Sequence, residues 1–267
     1  MMREENEVRA LLLAAGLGTR LHPLTKKWPK CLMPIGERPL LEHWLETLYS
    51  AKVHEVLINL QHHSEIVQNF LNRPRFIDWV SSMYEETLLG TAGTLRANKD
   101  FFQNYTTLMV HADNWCQYDF ADFLNYHQKH RPEHCSITMM TFESPTPETS
   151  GIVETDSEGI VYAYHEKSNR PLGYQANGAV YLLEPEALKW IEEHNDISDF
   201  STEVLPQFMG RIATWKNNGI HRDIGALPML KLAQSDPQPI SRWTETDNWQ
   251  KNFLRHPIHK QIAQAVV

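Results

Sequence analysis

Apolar and polar residues follow a regular rhythm along the first half of the chain. Short apolar runs predict strands at residues 8–14, 53–60, 77–84 and 106–111. Between them, apolar residues three and four positions apart predict helices at 40–50, 64–71 and 91–99. Strands that alternate with helices predict a Rossmann-like, three-layer α/β/α fold with a mostly parallel mixed central sheet. The loops at the carboxyl ends of its strands are where such sheets bind ligands.

The second half of the chain is richer in strands. Residues 151–167 alternate apolar and polar side chains around an Asp-Ser-Glu-Gly turn, which predicts a hairpin. Further strands are predicted at 135–142, 178–183, 211–216 and 220–224, and helical segments at 185–193 and from 199–203. Beyond residue 235 the sequence is rich in proline and tryptophan and has no clear period. We therefore predict one domain at 1–235 and a C-terminal extension of unknown role at 236–267.

The segment after the first strand concentrates positive charge. Residues 11–35 read LLLAAGLGTRLHPLTKKWPKCLMPI, in a chain with 33 acidic and 25 basic residues and a net charge of −8. A glycine turn that ends a strand can surround a phosphate with N–H groups, and the cations predict an anionic ligand. Neither common glycine motif is complete, because Leu21 replaces the third glycine of a dinucleotide fingerprint and Thr19 replaces the lysine of a P-loop. A turn that needs glycine only for tightness stays the alternative.

Composition narrows the classes of protein that the chain can represent. Hydrophobic residues make up 42% and charged residues 22% of the chain, which predicts a packed core. The negative net charge argues against broad binding to nucleic acid or to a membrane surface. The leader MMREENEV is too charged for a secretory signal, and the apolar run at 10–15 is too short to cross a bilayer. Three cysteines without CxxC spacing predict reduced thiols and a cytoplasmic location.

Longer motifs resemble one family. The string GLGTRLxPLTxxxPKxLxPI resembles the opening signature of the sugar-1-phosphate nucleotidylyltransferases, also called NDP-sugar pyrophosphorylases. Six further segments resemble that family's motifs in order and approximate spacing: 86–94 (ETLLGTAGT), 110–114 (VHADN), 151–153 (GIV), 165–167 (HEK), 176–181 (ANGAVY) and 222–225 (RDIG). The resemblance extends over about residues 8–232.

The resemblance implies a reaction between two anionic substrates. In that family a sugar-1-phosphate oxygen attacks the α-phosphorus of a nucleoside triphosphate, and pyrophosphate leaves. Arg20 and Lys30 are then the catalytic cations that contact the triphosphate. The implied nucleotide-binding residues are Ala14, Ala15, Gly16, Leu17, Gly18, Thr19, Glu86, Gly90, Thr91 and Ala112. Lys26 and Lys27 either shape the local field or are solvated, and we favour solvation.

The resemblance also implies a metal ion and a sugar-phosphate site. Asp113 and Asp223, each at the end of a predicted strand, are the implied ligands of Mg²⁺. The small β-rich part is expected to bind the sugar phosphate through Gly151, Glu166, Lys167, Asn177 and Gly178. Taken alone, each aspartate fits a cap or a turn, and the hairpin residues fit an ordinary exposed edge. Three positions depart from the common family pattern: Ala112, His221 and Ala226.

The choice of substrates rests on the loop at 85–93. This loop looks more like that of guanylyltransferases acting on mannose-1-phosphate or a related heptose than like that of the thymidylyl branch of the family. The resemblance predicts GTP as the nucleotide. A UTP- or dTTP-dependent transferase stays open, because uridylyltransferases also use Leu-Gly-Thr-Ala. A cytidylyltransferase for choline phosphate is less favoured, because a choline site would need an aromatic cage rather than the motif at 176–181. A non-catalytic nucleotide-sugar sensor is also less favoured, because a sensor would not need the pair Asp113 and Asp223. The tail tryptophans, Trp243 and Trp249, indicate packing or subunit contact, so a homo-oligomer also stays open.

Overall fold

The computed structural model describes residues 7–53, 55–167 and 170–265 of the chain. Its strands are β1 Val8–Leu13, β2 Pro34–Ile35, β3 Arg38–Pro39, β4 Val56–Leu60, β5 Val80–Tyr84, β6 Thr106–His111, β7 Asn114–Gln117, β8 Ile137–Glu143, β9 Gly151–Thr155, β10 Val161–Glu166, β11 Gln175–Leu183, β12 Ile212–Lys216 and β13 Ile220–Asp223. Its α-helices are α1 Leu40–Ser50, α2 Ser64–Leu71, α3 Thr91–Ala97, α4 Lys99–Phe102, α5 Phe120–Asn125, α6 Pro185–Glu193, α7 Leu227–Ser235, α8 Asn248–Leu254 and α9 Pro257–Gln264.

The strands form a mixed sheet whose order is β10-β9-β11-β6-β1-β4-β5, with β8 paired to β11 and β12 paired to β8. The chain divides into two compact units, which we describe separately. Unit 1 comprises Met1–Leu11, Leu89–Val110 and Gln117–His221, and unit 2 comprises Leu12–Leu88, His111–Cys116 and Arg222–Val267. The predicted α/β fold with a mixed central sheet is confirmed.

Unit 1 contains the β-rich part. The strand β11 is its centre, antiparallel to β6 and β8 and touching β9 at one register position. The hairpin of β9 and β10 runs from the Val161–Thr155 pair to the Glu166–Gly151 pair. In β11 the register shifts between Asn177 and Tyr181, and Ala179 there has a φ of 52°. This bulge breaks the alternation of side chains in the segment that carries the predicted sugar motif.

Unit 2 contains the parallel pair β4 and β5 and the helices α1, α2 and α7–α9. Almost all of α1 is buried, including two carboxylates, Glu42 and Glu46. Buried carboxylates need partners. Glu42 pairs with Arg73 and Glu46 pairs with Arg38, so the interior of this unit is held by ion pairs as well as by apolar packing.

Three regions of unit 2 differ from the sequence prediction. The strand predicted at 53–60 is formed over Val56–Leu60. The strand predicted at 77–84 begins only at Val80, because the preceding residues form a turn in which the Val80 N–H donates to the Phe76 carbonyl. Beyond residue 235, where no period was evident, the chain forms α8 and α9. Both helices are short, with one to two buried apolar residues each (Phe253 in α8; Ile258 and Ile262 in α9). So few apolar positions give no readable helical period.

The segment after residue 235 is tied to the rest of unit 2 by polar contacts. Asp247 accepts a 2.7 Å hydrogen bond from Nε of the buried Arg73 and also caps α8 through the Gln250 N–H. The Ser241 hydroxyl donates to Oε1 of Glu46 (2.9 Å). A boundary at residue 235 stays a prediction. Among the described residues, none of the helices has both the length and the apolar character needed to cross a membrane.

Candidate active site

The carboxyl end of β1 is fixed by a buried asparagine. The N–H groups of Ala14 and Ala15 both point to Oδ1 of Asn59, at 2.7 and 3.3 Å, and Nδ2 of Asn59 donates to Oε1 of Glu85 (3.0 Å). Asn59 and Glu85 are 4% and 3% exposed. The sequence analysis missed this pair, although one polar residue inside the apolar strand VLINL was the available signal. Asn59 therefore fixes the backbone of Ala14 and Ala15, the first two of the predicted nucleotide-binding residues.

The glycine turn that follows is shaped by Thr25. Gly18 has a φ of +62°, and a Cβ there would lie 2.9 Å from Cγ2 of Thr25. The Thr25 hydroxyl donates to the Gly18 carbonyl (2.7 Å), and Nε2 of His63 lies 3.0 Å from the Thr25 carbonyl. Glycine is thus required at position 18 both for its conformation and for close packing. The turn leaves Leu17 43% exposed.

The four residues predicted to carry the chemistry lie together in unit 2. Nζ of Lys30 is 2.6 Å from Oδ2 of Asp113 and 3.1 Å from Oδ1 of Asp223. Nη2 of Arg20 donates to Oδ2 of Asp223 at 2.9 Å. The Lys30 side chain is 6% exposed and that of Arg20 is 67% exposed. One ammonium therefore holds both predicted metal ligands, and one guanidinium extends outward from them.

The charge of Asp223 is maintained by these cations. Burial raises the pKa of its carboxyl, but Lys30 and Arg20 more than offset this and lower the pKa to about 2. The Gly225 N–H also donates to Oδ1 of Asp223 (2.7 Å). A Cβ at Gly225 would lie 2.5 Å from Nη2 of Arg20 and 2.7 Å from Oδ1 of Asp223, so a larger residue would displace one partner of this ion pair. Gly225 is a site residue that the sequence analysis did not select.

The donor set fits Mg²⁺ that arrives with phosphate oxygens. Mg²⁺ binds through one or two carboxylates plus substrate phosphates and keeps several waters. Asp113 and Asp223 supply two hard oxygen donors that converge on one point, Nζ of Lys30. Across residues 7–53, 55–167 and 170–265, no three His, Cys, Asp or Glu side chains form a cage that could hold a metal ion. Two carboxylates alone would leave the remaining ligand positions of a Mg²⁺ ion to water and phosphate oxygens, and a magnesium site here stays a prediction.

The neighbouring side chains do not supply a covalent nucleophile. Cys31, next to Lys30, is buried, and burial followed by the charge of Asp113 raises the pKa of its thiol to about 12. A protonated thiol is a poor nucleophile. Lys26 and Lys27 are exposed in the same loop, as solvated charges would be.

The predicted base loop is divided between the two units. Glu86 is exposed in unit 2. In unit 1, Gly90 has a φ of +79°, and a Cβ there would meet the Ser198 carbonyl oxygen at 2.5 Å. The Thr91 hydroxyl accepts a 2.6 Å hydrogen bond from the Phe200 N–H. The motif thus fixes the start of α3 through glycine and threonine.

The predicted sugar-phosphate residues lie on β9, β11 and at the end of β10 in unit 1. Gly151 and Glu166 are direct cross-strand partners. Nζ of Lys167 lies 3.4 Å from Oε1 of Glu166, and these side chains are 67% and 36% exposed. Asn177 is bonded within the strand, because its Oδ1 accepts from the Ala179 N–H (2.9 Å) and its Nδ2 donates to the Tyr181 hydroxyl (2.6 Å). Its amide holds the bulge of β11.

Two of the three departures from the common pattern, Ala112 and His221, have structural roles. Ala112 is fully buried and donates its N–H to the Leu13 carbonyl at 3.1 Å. His221 stacks on Phe142, with ring centroids 4.0 Å apart, and its Nε2 lies 2.8 Å from the carbonyl oxygen of Gly178. A Cβ at Gly178 would lie 3.0 Å from the Met140 carbonyl oxygen. Ala226 is the residue before α7.

Comparison with known proteins identifies similar chains. A family model described as nucleotidyl transferase matches residues 9–236. The mannose-1-phosphate guanyltransferase of Schizosaccharomyces pombe is 28% identical over 224 residues, which are 82% of this chain and 61% of that protein. The mannose-1-phosphate guanylyltransferase 1 of Arabidopsis thaliana is 30% identical over 190 residues, 69% of this chain and 52% of that protein. The chain thus matches between about half and three fifths of the length of these relatives.

A solved structure shows the same fold. The crystal structure of HddC from Yersinia pseudotuberculosis, complexed with GMP-PN, superposes with a TM-score of 0.71 at 21% identity. The match covers 85% of this chain and 97% of that one.

Proposed function

Because the chain belongs to the nucleotidyl transferase family, we propose that it joins a nucleoside triphosphate to a sugar-1-phosphate and releases pyrophosphate. We propose GTP and mannose-1-phosphate, or a related heptose phosphate, as the substrates. The loop at 85–93 and the names of the similar proteins from S. pombe and A. thaliana support this choice. The observation that carries the reaction class is the cluster of Lys30, Asp113, Asp223 and Arg20.

The reaction is an in-line displacement at the α-phosphorus. An oxygen of the sugar phosphate forms a bond to that phosphorus, and the bond to the bridging oxygen breaks, so that pyrophosphate leaves with the electron pair. A phosphate monoester has a second pKa of about 6, so the nucleophile is already an anion and no general base is required. The obstacle is the repulsion between two anions, which positioning and positive charge overcome.

The residues of unit 2 supply that positive charge. Arg20, two-thirds exposed, can turn its planar guanidinium toward phosphate oxygens while it stays close to Asp223. Lys30 is almost buried and offers a fixed point charge. Mg²⁺, held by Asp113 and Asp223 and by the triphosphate, would neutralise negative charge that develops on the leaving group. The backbone after β1, whose conformation is fixed by Asn59 and Thr25, is proposed to face the same anion through the turn at residues 16–19.

The residues of unit 1 are proposed to hold the second substrate. Lys167 would contact the sugar phosphate, and the Glu166 carboxylate would accept hydrogen bonds from sugar hydroxyls. Their exposure leaves both charges available to a ligand.

The three cysteines are free thiols, two of them buried, which accords with the reducing cytoplasm that we propose as the location.

Pyrophosphate release tests this proposal. The purified chain is incubated with Mg²⁺ and each of four nucleoside triphosphates, crossed with the 1-phosphates of mannose, glucose, N-acetylglucosamine, N-acetylmuramic acid and a heptose. We expect release with GTP and mannose-1-phosphate or the heptose phosphate, and its loss in Asp113→Ala. Lys27→Ala, which removes an exposed charge from the same loop as Lys30, is the matched control and should keep full activity.

The other outcomes distinguish the alternatives. Turnover with UTP or dTTP and none with GTP rejects the guanylyl assignment and keeps the class. Turnover with CTP and choline phosphate, which is added as a further acceptor for this purpose, indicates a cytidylyltransferase. Binding of nucleotide without turnover in any pair indicates a sensor and overturns the proposed reaction.

A further inference from the structure

The hairpin of unit 1 contains a tyrosine, Tyr164, that lies outside the family motifs and has no role in the proposed reaction. The hydroxyl of Tyr164 donates a hydrogen bond to Oε2 of Glu166, two residues further along β10. Glu166 is the proposed acceptor for sugar hydroxyls. We propose that Tyr164 is a positioning residue that fixes the Glu166 carboxylate as an acceptor for the sugar. The inference rests on the proposed function, because the role of Glu166 does.

The cross-strand register explains how Tyr164 reaches this place. Glu166 pairs with Gly151, and Tyr164 pairs with Val153, so the tyrosine ring lies diagonally over Gly151. A Cβ at Gly151 would lie 2.8 Å from Cε2 and 2.9 Å from Cζ of Tyr164, and still closer to its hydroxyl oxygen. Gly151 is therefore needed so that Tyr164 can extend to Glu166. This is a specific reason for a glycine at the start of β9.

The surroundings of Tyr164 keep its phenol protonated, and a second phenol, that of Tyr181, lies near it. Nδ2 of Asn177 donates to the hydroxyl of Tyr181, which is fully buried (2.6 Å). Burial, the neighbouring phenol of Tyr181 and the bond to Glu166 all raise the pKa of Tyr164, while a hydrogen bond from Asn177 acts in the opposite direction. The phenol therefore stays protonated at any working pH, and its proton points to the carboxylate.

The geometry defines what Glu166 can recognise. Oε2 is engaged by Tyr164, and Oε1 lies 3.4 Å from Nζ of Lys167. An ionised carboxylate has about four lone-pair sites, so acceptor capacity remains on both oxygens, but the group has no proton to donate. The matching ligand group is a donor, such as a sugar hydroxyl or an amide N–H.

The alternative is that Tyr164 only stabilises the hairpin. Tyr162 offers a matched control, because it lies on the same strand and its hydroxyl donates to Glu154 at 3.2 Å, away from the predicted sugar residues. Replacement of either tyrosine by phenylalanine removes one hydroxyl and one carboxylate hydrogen bond from β10. A purely structural role predicts similar effects of the two replacements.

Steady-state kinetics of the full chain tests the proposal. With the nucleotide and sugar-1-phosphate pair that gives turnover, Tyr164→Phe should raise the KM for the sugar-1-phosphate about tenfold, as expected for one hydrogen bond to a charged group. The KM for the nucleotide and kcat should change less than about twofold, because ground-state and transition-state binding of the sugar weaken together. Tyr162→Phe should leave all three values unchanged, with thermal midpoints close to that of the parent for both variants.

A double-mutant cycle tests whether Tyr164 acts through Glu166. In a Glu166→Gln background, Tyr164→Phe should have no further effect on the KM for the sugar-1-phosphate. Additive effects, or equal defects in the two tyrosine variants, overturn the positioning role. If the parent chain turns over no pair, the proposed function fails, and calorimetric binding of the sugar-1-phosphates to the same variants decides the inference: a loss confined to Tyr164→Phe supports it, and no binding to the parent overturns it.

Discussion

The cation loop of unit 2 (residues 16–35) and the β9–β10 hairpin of unit 1 both contain charges that the sequence singled out, but the two regions hold them differently. In the loop, Lys30 is 6% exposed and its ammonium contacts two carboxylates. In the hairpin, Lys167 is 67% exposed and lies near one carboxylate. Under the proposed function, the buried Lys30 would act as a fixed charge that stabilises the transition state, whereas the exposed groups of the hairpin would recognise the sugar phosphate. Substitutions in the loop should therefore reduce kcat, and substitutions in the hairpin should raise one KM.

The largest effect is expected for Lys30→Met. Loss of one fixed positive charge at a phosphoryl-type centre should reduce kcat about 1000-fold. Lys27→Met, in the same loop but exposed, should change kcat less than twofold. Because the ammonium no longer competes for Asp113 and Asp223, Mn²⁺ binding to the free variant, measured by electron paramagnetic resonance, should become tighter. Equal kcat values for the two lysine variants would show that Lys30 does not supply a catalytic charge.

The next effect is expected for Gly225→Ala. A methyl group at this position would meet both Nη2 of Arg20 and Oδ1 of Asp223. Displacement of this ion pair should lower kcat about 100-fold, since a misplacement of about 1 Å has effects of that size. Gly173→Ala is the control, because a Cβ there has no heavy atom within 4 Å. A kcat that is unchanged in Gly225→Ala would show that the site tolerates movement of Arg20.

A smaller effect is expected for Gly151→Ala in the hairpin. The added methyl group would force Tyr164 away from Glu166, so the KM for the sugar-1-phosphate should rise about tenfold with little change in kcat. The same Gly173→Ala control applies, measured with both substrates varied in turn. A fall in kcat at constant KM would contradict the division of labour between the loop and the hairpin.

The smallest effect on catalysis is expected for His43, which contacts the last residue of the cation loop and is predicted to affect the stability of the fold. His43 is buried in α1, and its Nε2 donates to the Ile35 carbonyl at 3.2 Å. Burial, with a contribution from Arg38, lowers the pKa of His43 to about 3. Between pH 6.5 and 3 the unfolded chain therefore binds a proton that the folded chain does not, so acidification lowers the free energy of unfolding by up to about 1.4 kcal/mol per pH unit from this group.

Denaturation with urea at several pH values checks the role of His43. His43→Gln should lose this part of the acid dependence and leave the curve above pH 7 parallel to that of the parent. His22→Gln, at an exposed position, should retain the parent curve throughout. An unchanged acid dependence in His43→Gln would show that His43 is protonated in the folded state.

The sequence predicted the elements with strong local signals. The helices at 40–50, 64–71 and 185–193 and the strand at 106–111 begin and end where the pattern placed them. Each combines several apolar positions of one period with a clear boundary. The helices α8 and α9 were missed because their apolar faces are small and their positions depend on contacts made far along the chain, such as that of Asp247 with Arg73. Propensity alone does not report such contacts.

The charged residues of the candidate site could be predicted from the sequence, but the residues that position them could not. Motif resemblance selected Arg20, Lys30, Asp113 and Asp223, and the structure brings these four together. Asn59 and Gly225 were not selected, because each acts through a residue far along the chain, up to 205 positions away, and spacing contains no signal of that contact. Tyr164 was not selected because its role depends on the β9–β10 hairpin, in which its ring passes over Gly151 and its hydroxyl reaches Glu166. Asn177 has its amide bonded within β11, which gives it a structural role that sequence reasoning did not anticipate.

The most direct test of the central claim is phosphorus NMR of the parent chain with Mg²⁺, GTP and mannose-1-phosphate. We expect the signals of GTP and of mannose-1-phosphate to decline together, while those of pyrophosphate and of a sugar-linked diphosphate appear in equal amounts. Attack at the α-phosphorus is the only simple route to that pair of products. Formation of GDP and inorganic phosphate, or a spectrum that does not change while both compounds bind, would contradict it.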